Sequence, residues 1–310
     1  MIFSTVGREK NKRNHRKLLT ISQMDAVAGY LFILPASTLF VVFMILPVIA
    51  AITLSFTKYD VFSPAEWIGL SNFAALFNDQ RLLAIYINTF TFTIFAVIFN
   101  VGFGLVLALL MNRKMPSLIS YTCRLGYFMP VIISMIYVAI VWQAFFTRDV
   151  GIINFYLQFF QIEPIGWLID PDISLSTVIF VDVWKNTGFA MVVFLAGLQN
   201  IPRSYYEAAY IDGGSPWQIF RGITFPLLSP TIFFNVIIYS IGALQVFDSI
   251  SILTGGGPGD STRSVTMYIF ETAFQGFNFG YASTLAFTLF LIIMGLTLLQ
   301  FKLSDKWVNY

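Results

Sequence analysis

The chain alternates long apolar stretches with short polar ones. Uninterrupted apolar runs cover residues 26–57, 82–112, 125–147, 222–247 and 272–301, and each exceeds the roughly 20 residues that a membrane-spanning helix needs. A sixth run, residues 173–202, contains Asp182 and Lys185 yet is long and apolar enough to cross. The pattern predicts an all-α integral membrane protein with six transmembrane helices. The first run is too long for the apolar part of a signal peptide and has no small-residue cleavage site, so it is expected to be retained. The segments expected are a basic tail over 1–25, a first transmembrane helix over 26–57, an external interfacial segment over 58–87, a core of five helices over 88–303 and a C-terminal segment over 304–310.

Composition agrees: 57% of residues are hydrophobic and 11% charged, against roughly 25% charged in a soluble domain. The single cysteine, Cys123, excludes an internal disulfide and a multi-cysteine metal site. The net charge of +2 carries little information; its distribution carries more. Arg8, Lys10, Lys12, Arg13, Arg16 and Lys17 crowd the N-terminal tail, Arg113, Lys114, Arg124, Arg203 and Arg221 follow spans two and four, and Lys302 and Lys306 close the chain. The opposite side holds only Lys58, Arg81, Arg148 and Arg263. Short loops rich in Lys and Arg stay in the cytoplasm, so both termini are expected there. The basic tail reads as a topology signal, not as a nucleic-acid site.

The polar stretch "EAAYIDGGSPWQIFRGITFPLLSP", residues 207–230, lies between spans four and five. Ser204 with Glu207 has capping-box spacing, and Ser215, Pro216 and Gln218 supply a second cap with proline in the first turn. Two short helices are predicted, with Gly213 and Gly214 allowing a sharp turn and Pro226 and Pro230 limiting the second helix. The small Ala208 and Ala209 leave a thin helix face able to enter a groove on another protein; a helix lying on lipid headgroups fits the local pattern equally.

Glu207, Ala208, Ala209, Asp212, Gly213, Phe220, Ile223, Pro226 and Pro230 match, in order and spacing, the EAA loop of the permease subunits of bacterial ATP-driven (ABC) importers. "WIGLSNFAALFND", "GLQNIPRSYYEAA" and "LQVFDSISILTGGGPGDST" further resemble the sugar-importer permeases of the maltose, glycerol-phosphate and oligosaccharide branch, over roughly residues 27 to 303. Gly214 departs from the alanine of many members, a change expected to be tolerated, and the extra N-terminal spans and large external domain of the maltose subunit are not expected here. The resemblance implies a type I importer permease fold in a bacterial inner (cytoplasmic) membrane. It implies that residues 200–228 form the loop that docks into a cytoplasmic ATPase, through Glu207, Ala208, Ala209, Asp212, Gly213 and Phe220. It implies as partners a second, homologous permease, two cytoplasmic ATPase subunits that carry the ATP and Mg, an extracytoplasmic sugar-binding protein, membrane lipid and a carbohydrate substrate, with no nucleic acid and no cofactor on this chain.

Depth along the helices points to a solute path. Lys185 to Phe189 lie roughly 16 to 22 Å along span four, and Tyr239 to Val246 roughly 15 to 26 Å along span five, at 1.5 Å per residue. The two sets therefore meet near mid-membrane. Lys185, Asn186, Tyr239, Gly242, Ala243 and Gln245 are polar or small, Phe189 and Trp184 supply aromatic faces, and a sugar needs both kinds of surface. In the resembled family, positions matching Lys185, Asn186, Phe189, Tyr239, Gly242, Ala243 and Val246 line a sugar site. For Gly242 and Ala243 the alternative is close helix packing; for Asp182 and Lys185, three apart, it is an intrahelical ion pair.

Phe73 and Phe77 behind Trp67, and Ile152, Phe155, Tyr156 and Phe159, read as interfacial anchors. "TGGGPG" at 254–259 lacks the lysine and the strand-to-helix setting of a phosphate loop. The only histidine, His15, lies in the basic tail; with no metal-ligand cluster and no nucleophile paired to a base, no catalytic or metal site is expected. Two rival readings remain at this point: an ion-coupled secondary sugar transporter relaying protons through Asp182, Lys185 and Asp248, and a non-transport membrane scaffold or sensor.

Overall fold

The computed structural model describes residues 21–113 and 115–308; the basic residues of the N-terminal tail and Lys114 lie outside them. The chain divides into two units, residues 1–51 and 52–310. The described part of the first is a helix that starts at Ile21, inside the stretch expected to be tail, and continues as Ile21–Phe40, Val41–Ile45 and Leu46–Leu54, the last crossing into the second unit. Its described side chains are exposed from Asp25 to Ala50.

Val41–Ile45 is a widened, π-type turn, and so is Phe220–Thr224. Each ends two residues before a proline, Pro47 and Pro226. A proline inside a helix has no N–H and pushes against the carbonyl four residues back; widening the turn relieves that clash. The wide turn thus accommodates Pro226, and at Pro230 the Pro226 carbonyl four residues back accepts from Ser229 Oγ at 2.6 Å, so neither proline ends a short helix, contrary to the sequence-based expectation. The second loop helix, Pro216–Ile219, runs through the wide turn into span five without a break, over Pro216–Leu244.

The second unit opens with strands Thr57–Lys58 and Glu66–Trp67, paired antiparallel, and helix Ser71–Asn78. Span two (Leu82–Met111), span four (Ser174–Asn200), span five and span six (Phe279–Ser304) are continuous. Span three is not. Residues 125–147 read as one crossing, but the structure has two helices, Ser117–Ile132 and Met135–Phe146, bent by 99°. Pro130 weakens the end of the first, Ile133 is extended, and Ser134, also extended, occupies the N-cap position of the second.

Span two packs along span four, where Gly104 lets the helices meet at Ala190. Near this contact Asn100, fully buried, donates to the Ala96 carbonyl at 2.9 Å and accepts from Thr187 Oγ1 at 3.2 Å. Phe92, Val178, Val181 and Ile250 fill the core toward one end, and Ala108, Met191, Phe194 and Leu228 toward the other.

At the end that bears the 254–264 loop, charges tie the chain together. Arg81 grips Asp260 through two bonds of 2.8 and 2.9 Å, Arg263 pairs with Asp260 and, at 2.9 Å, with Glu271, and Asn88 donates to the Asp260 carbonyl at 2.6 Å. The Asp79 carboxylate accepts from the phenols of Tyr268 (2.6 Å) and Tyr281 (2.8 Å). Burial pushes its pKa up, but these phenols, the Arg81 amide and the Arg81 charge outweigh it and hold Asp79 below the usual carboxylate range. "TGGGPG" thus sits in a brace between spans, with Gly255, Gly256 and Gly259 all at positive φ. Of the residues read as interfacial anchors here, Trp67 and Phe77 are exposed, whereas Phe73 packs on Phe56 (5.3 Å) and Phe287 (6.3 Å). Ile152, Phe155, Tyr156 and Phe159 are exposed on or beside helix Ile152–Gln158.

Candidate functional site

Two features stand out, a cavity in the middle of the helices and the loop between spans four and five. The cavity, of about 360 Å³, is walled by the middle of span four and the second half of span five. It brings together Lys185, Asn186, Tyr239, Gly242, Ala243, Gln245 and Val246, seven of the eight residues expected to form a path. Phe189 stands outside, edge-on to the Tyr239 ring at 6.4 Å. Gly242 faces open space, since an added Cβ would meet nothing within 4 Å, whereas Ala243 is buried in the core; close packing thus explains Ala243 and not Gly242.

The remaining wall comes from elements that sequence spacing does not connect: Phe92 and Ala96 of span two, Met135 just past the break in span three, and Asp248 with Ser249 in the first turn of helix Asp248–Leu253. Asp182 also lines the cavity. The ion pair with Lys185, the alternative to a solute contact, is not formed: three ion pairs occur among the described residues, and this is not one of them. Lys185 Nζ instead donates to the Val131 carbonyl at 3.4 Å, in the last turn before the break in span three. The cavity offers an ammonium, two side-chain amides, a phenol and two carboxyl groups beside the aromatic faces of Phe92, Tyr239 and Phe247. Such a lining suits a solute with many hydroxyls and an apolar face.

The loop contains helix Arg203–Ile211 and the start of Pro216–Ile219. Pro202 occupies the N-cap of the first, without a side-chain bond, so Ser204 already lies within the helix and the expected Ser204–Glu207 box does not form. The box at Ser215 does: Gln218 N–H donates to Ser215 Oγ at 3.4 Å and the Ser215 N–H to Gln218 Oε1 at 2.7 Å. Between them Gly213, at φ +76°, and Gly214 close the first helix, with Gly213 N–H bonded to the Tyr210 carbonyl (3.1 Å) and Gly214 N–H to the Ala209 carbonyl (2.9 Å). This is the paired termination that a left-handed residue allows.

Glu207, Ala208, Asp212 and Gly213 are exposed, and Ala209 and Phe220 half-buried. Phe220 stacks on Trp217 at 5.5 Å. Sequence reasoning missed the large apolar side chains that share this surface: Tyr210, Ile211 at 86% exposure and Trp217. Their signal was present in the mixture of aromatic and charged residues in the loop. An exposed apolar patch with a polar rim marks a contact surface. Behind it lies a cavity of about 440 Å³ bounded by Arg113, Tyr206, Tyr210 and Trp217.

Comparisons with known proteins fit this arrangement. Residues 100–308 match the family described as binding-protein-dependent transport system inner membrane component. The chain is 40% identical to the ABC transporter permease protein YesP of Bacillus subtilis (strain 168) over 92% of this chain and 93% of the relative. It is 33% identical to the trehalose/maltose transport system permease protein MalF of Thermococcus litoralis, over 90% and 94%. In three dimensions it is similar to a chain of a bacterial ABC transporter involved in import of the acidic polysaccharide alginate, with a TM-score of 0.83, 24% identity and coverage of 92% and 98%.

Proposed function

Because the chain belongs to the family of binding-protein-dependent transport system inner membrane components, and is thus a multi-pass permease of the inner membrane, we propose that it passes a carbohydrate, an oligosaccharide in particular, into the cell. The observation that carries this is one continuous helix: span four lines the polar cavity with Asp182, Lys185 and Asn186 and, after Asn200, leads directly into the exposed loop. In this reading Lys185, Asn186, Gly242 and Gln245 meet the sugar, with Tyr239, Ala243 and Val246 completing the wall. Glu207, Ala208, Ala209, Asp212, Gly213 and Phe220 form the surface that a cytoplasmic ATPase engages, together with Tyr210, Ile211 and Trp217. ATP and Mg belong to that partner. A second permease supplies the other half of the path, and an external binding protein delivers the sugar.

The relatives' names support a sugar: trehalose and maltose for one, alginate for the structural neighbour. The clustering of Asp182, Lys185 and Asp248 also fits a proton-coupled carrier. One experiment separates the two. In proteoliposomes holding this chain with its partner permease, ATPase and binding protein, oligosaccharide uptake is expected to require ATP, to stop with vanadate and to survive a proton uncoupler. Uptake driven by a proton gradient without ATP would refute the importer reading.

A further inference from the structure

Tyr239, on span five, bonds both ends of a single rung of span four. Its hydroxyl donates to the Asn186 carbonyl at 2.6 Å and accepts from the Ala190 N–H at 3.2 Å. Four residues apart, those two groups pair with each other in an uninterrupted helix. A hydroxyl lodged between such partners is one of the few devices that bend a helix, and within a membrane it also keeps the backbone groups satisfied.

The same stretch is gripped from other sides. Thr187 donates to Asn100 of span two. Gly188 admits the Tyr127 carbonyl of the broken span so closely that a Cβ would collide with it, and Ala190 touches Gly104. Below this grip, span four continues to Asn200, an arm of roughly 15 Å at 1.5 Å per residue. Pro202 and helix Arg203–Ile211 follow at once.

We infer that the rung from Asn186 to Ala190 is the fulcrum of span four, and that Tyr239 is the positioning residue through which the cavity and the loop between spans four and five sense each other. The Tyr239 ring is part of the cavity wall, its hydroxyl holds the rung, and the arm below the rung carries the loop. A solute that moves the ring alters the hold on the rung, which tilts the arm; a loop displaced by its partner pulls on the ring in return, since coupling between two sites is reciprocal. The inference rests on the importer reading above, in which the loop meets an ATPase.

The test is the ratio of sugar imported to ATP hydrolysed, measured in the reconstituted complex at saturating sugar-loaded binding protein. Tyr239→Phe keeps the ring and loses the hydroxyl. The expected result is normal assembly, ATP hydrolysis near the wild-type rate and uptake lower by about five-fold or more, the small end of common coupling strengths. A residue that only contacts sugar would raise the half-saturating concentration and leave the ratio unchanged; a residue that only stabilises the fold would lower uptake and hydrolysis together. Either outcome overturns the inference. If the phenylalanine variant does not assemble, 3-fluorotyrosine at position 239, which keeps the shape and changes the strength of both bonds, is measured in the same way: a shifted ratio supports the fulcrum and an unshifted one overturns it. Wild-type complex that imports no sugar with ATP would count against the importer reading, not against the role of Tyr239.

Discussion

The ammonium of Lys185 points to the main-chain carbonyl of Val131, 3.4 Å away, although Asp182 stands one turn back on the same helix. Val131 is the penultimate residue of helix Ser117–Ile132, and the last carbonyls of a helix lack helical partners. A cation there gains typically 0.3–1 kcal/mol, up to about 2 when partly buried. A lysine at mid-membrane costs about 2.5–3.5 kcal/mol on insertion scales. The carbonyl and the polar cavity, of which Asp182 is a part, together offset that cost.

Lys185→Met is therefore expected to lower uptake at equal complex abundance, and Lys185→Gln, which still carries a donor toward Val131, to lower it less. Adding Asp182→Asn to Lys185→Gln is expected to bring no recovery, because the ammonium bonds the Val131 carbonyl and forms no close ion pair with Asp182. Initial uptake rates of the three variants decide it. Full recovery in the double variant would show that the ion pair, and not the helix end, is what the lysine supplies.

Gly213 carries the turn of the exposed loop, and a side chain at its φ of +76° costs about 1–2 kcal/mol. Gly213→Val is expected to leave membrane insertion intact while reducing the ATPase that co-purifies with the permease. Gly214→Ala is expected to do the same more weakly: its Cβ would stand 2.9 Å from the Ala209 carbonyl oxygen, so the alanine common in the family is not free here. ATPase recovered per permease at wild-type level in both variants would remove the loop from the coupling role.

How far the sequence could be read depended on where the information sits. Spans two, five and six were legible because an unbroken apolar run reports a spanning helix directly, and span four because its run stays long and apolar around Asp182 and Lys185. The break at Ile133 and Ser134 was not, because residues 125–147 stay apolar on both sides of it and a membrane hides no polar punctuation there. The Ser204 cap failed because Pro202 starts the helix two residues earlier, and Pro226 misled because a widened turn absorbs it. In the cavity, helical depth and the family resemblance together brought spans four and five to one site. Asp248 was singled out only for the rival proton-relay reading and Met135 was missed, because a six-residue helix and a bend, neither visible in periodicity, turn them inward. The brace between Arg81 and Asp260 joins residues 179 apart in sequence, a distance over which no local pattern speaks.

The remaining prediction concerns which way the chain faces, for which the charge asymmetry of the loops is the argument. Arg113, Arg203 and Arg221 lie at the end that bears the exposed loop, and short basic loops stay in the cytoplasm. Val150, at 83% exposure, follows the second half of the broken span, and Ile211, at 86%, closes the first loop helix. Both report accessibility without disturbing an ion pair, as a cysteine at Asp260 would by releasing Arg81. In a Cys123→Ser background, Val150→Cys is expected to react with a membrane-impermeant maleimide in intact cells, and Ile211→Cys only after permeabilisation. Co-expression of the ATPase is then expected to slow labelling at Ile211 and not at Val150, since the partner covers the loop. Labelling of Ile211→Cys from outside intact cells would reverse the orientation, and with it the assignment of the loop to a cytoplasmic motor.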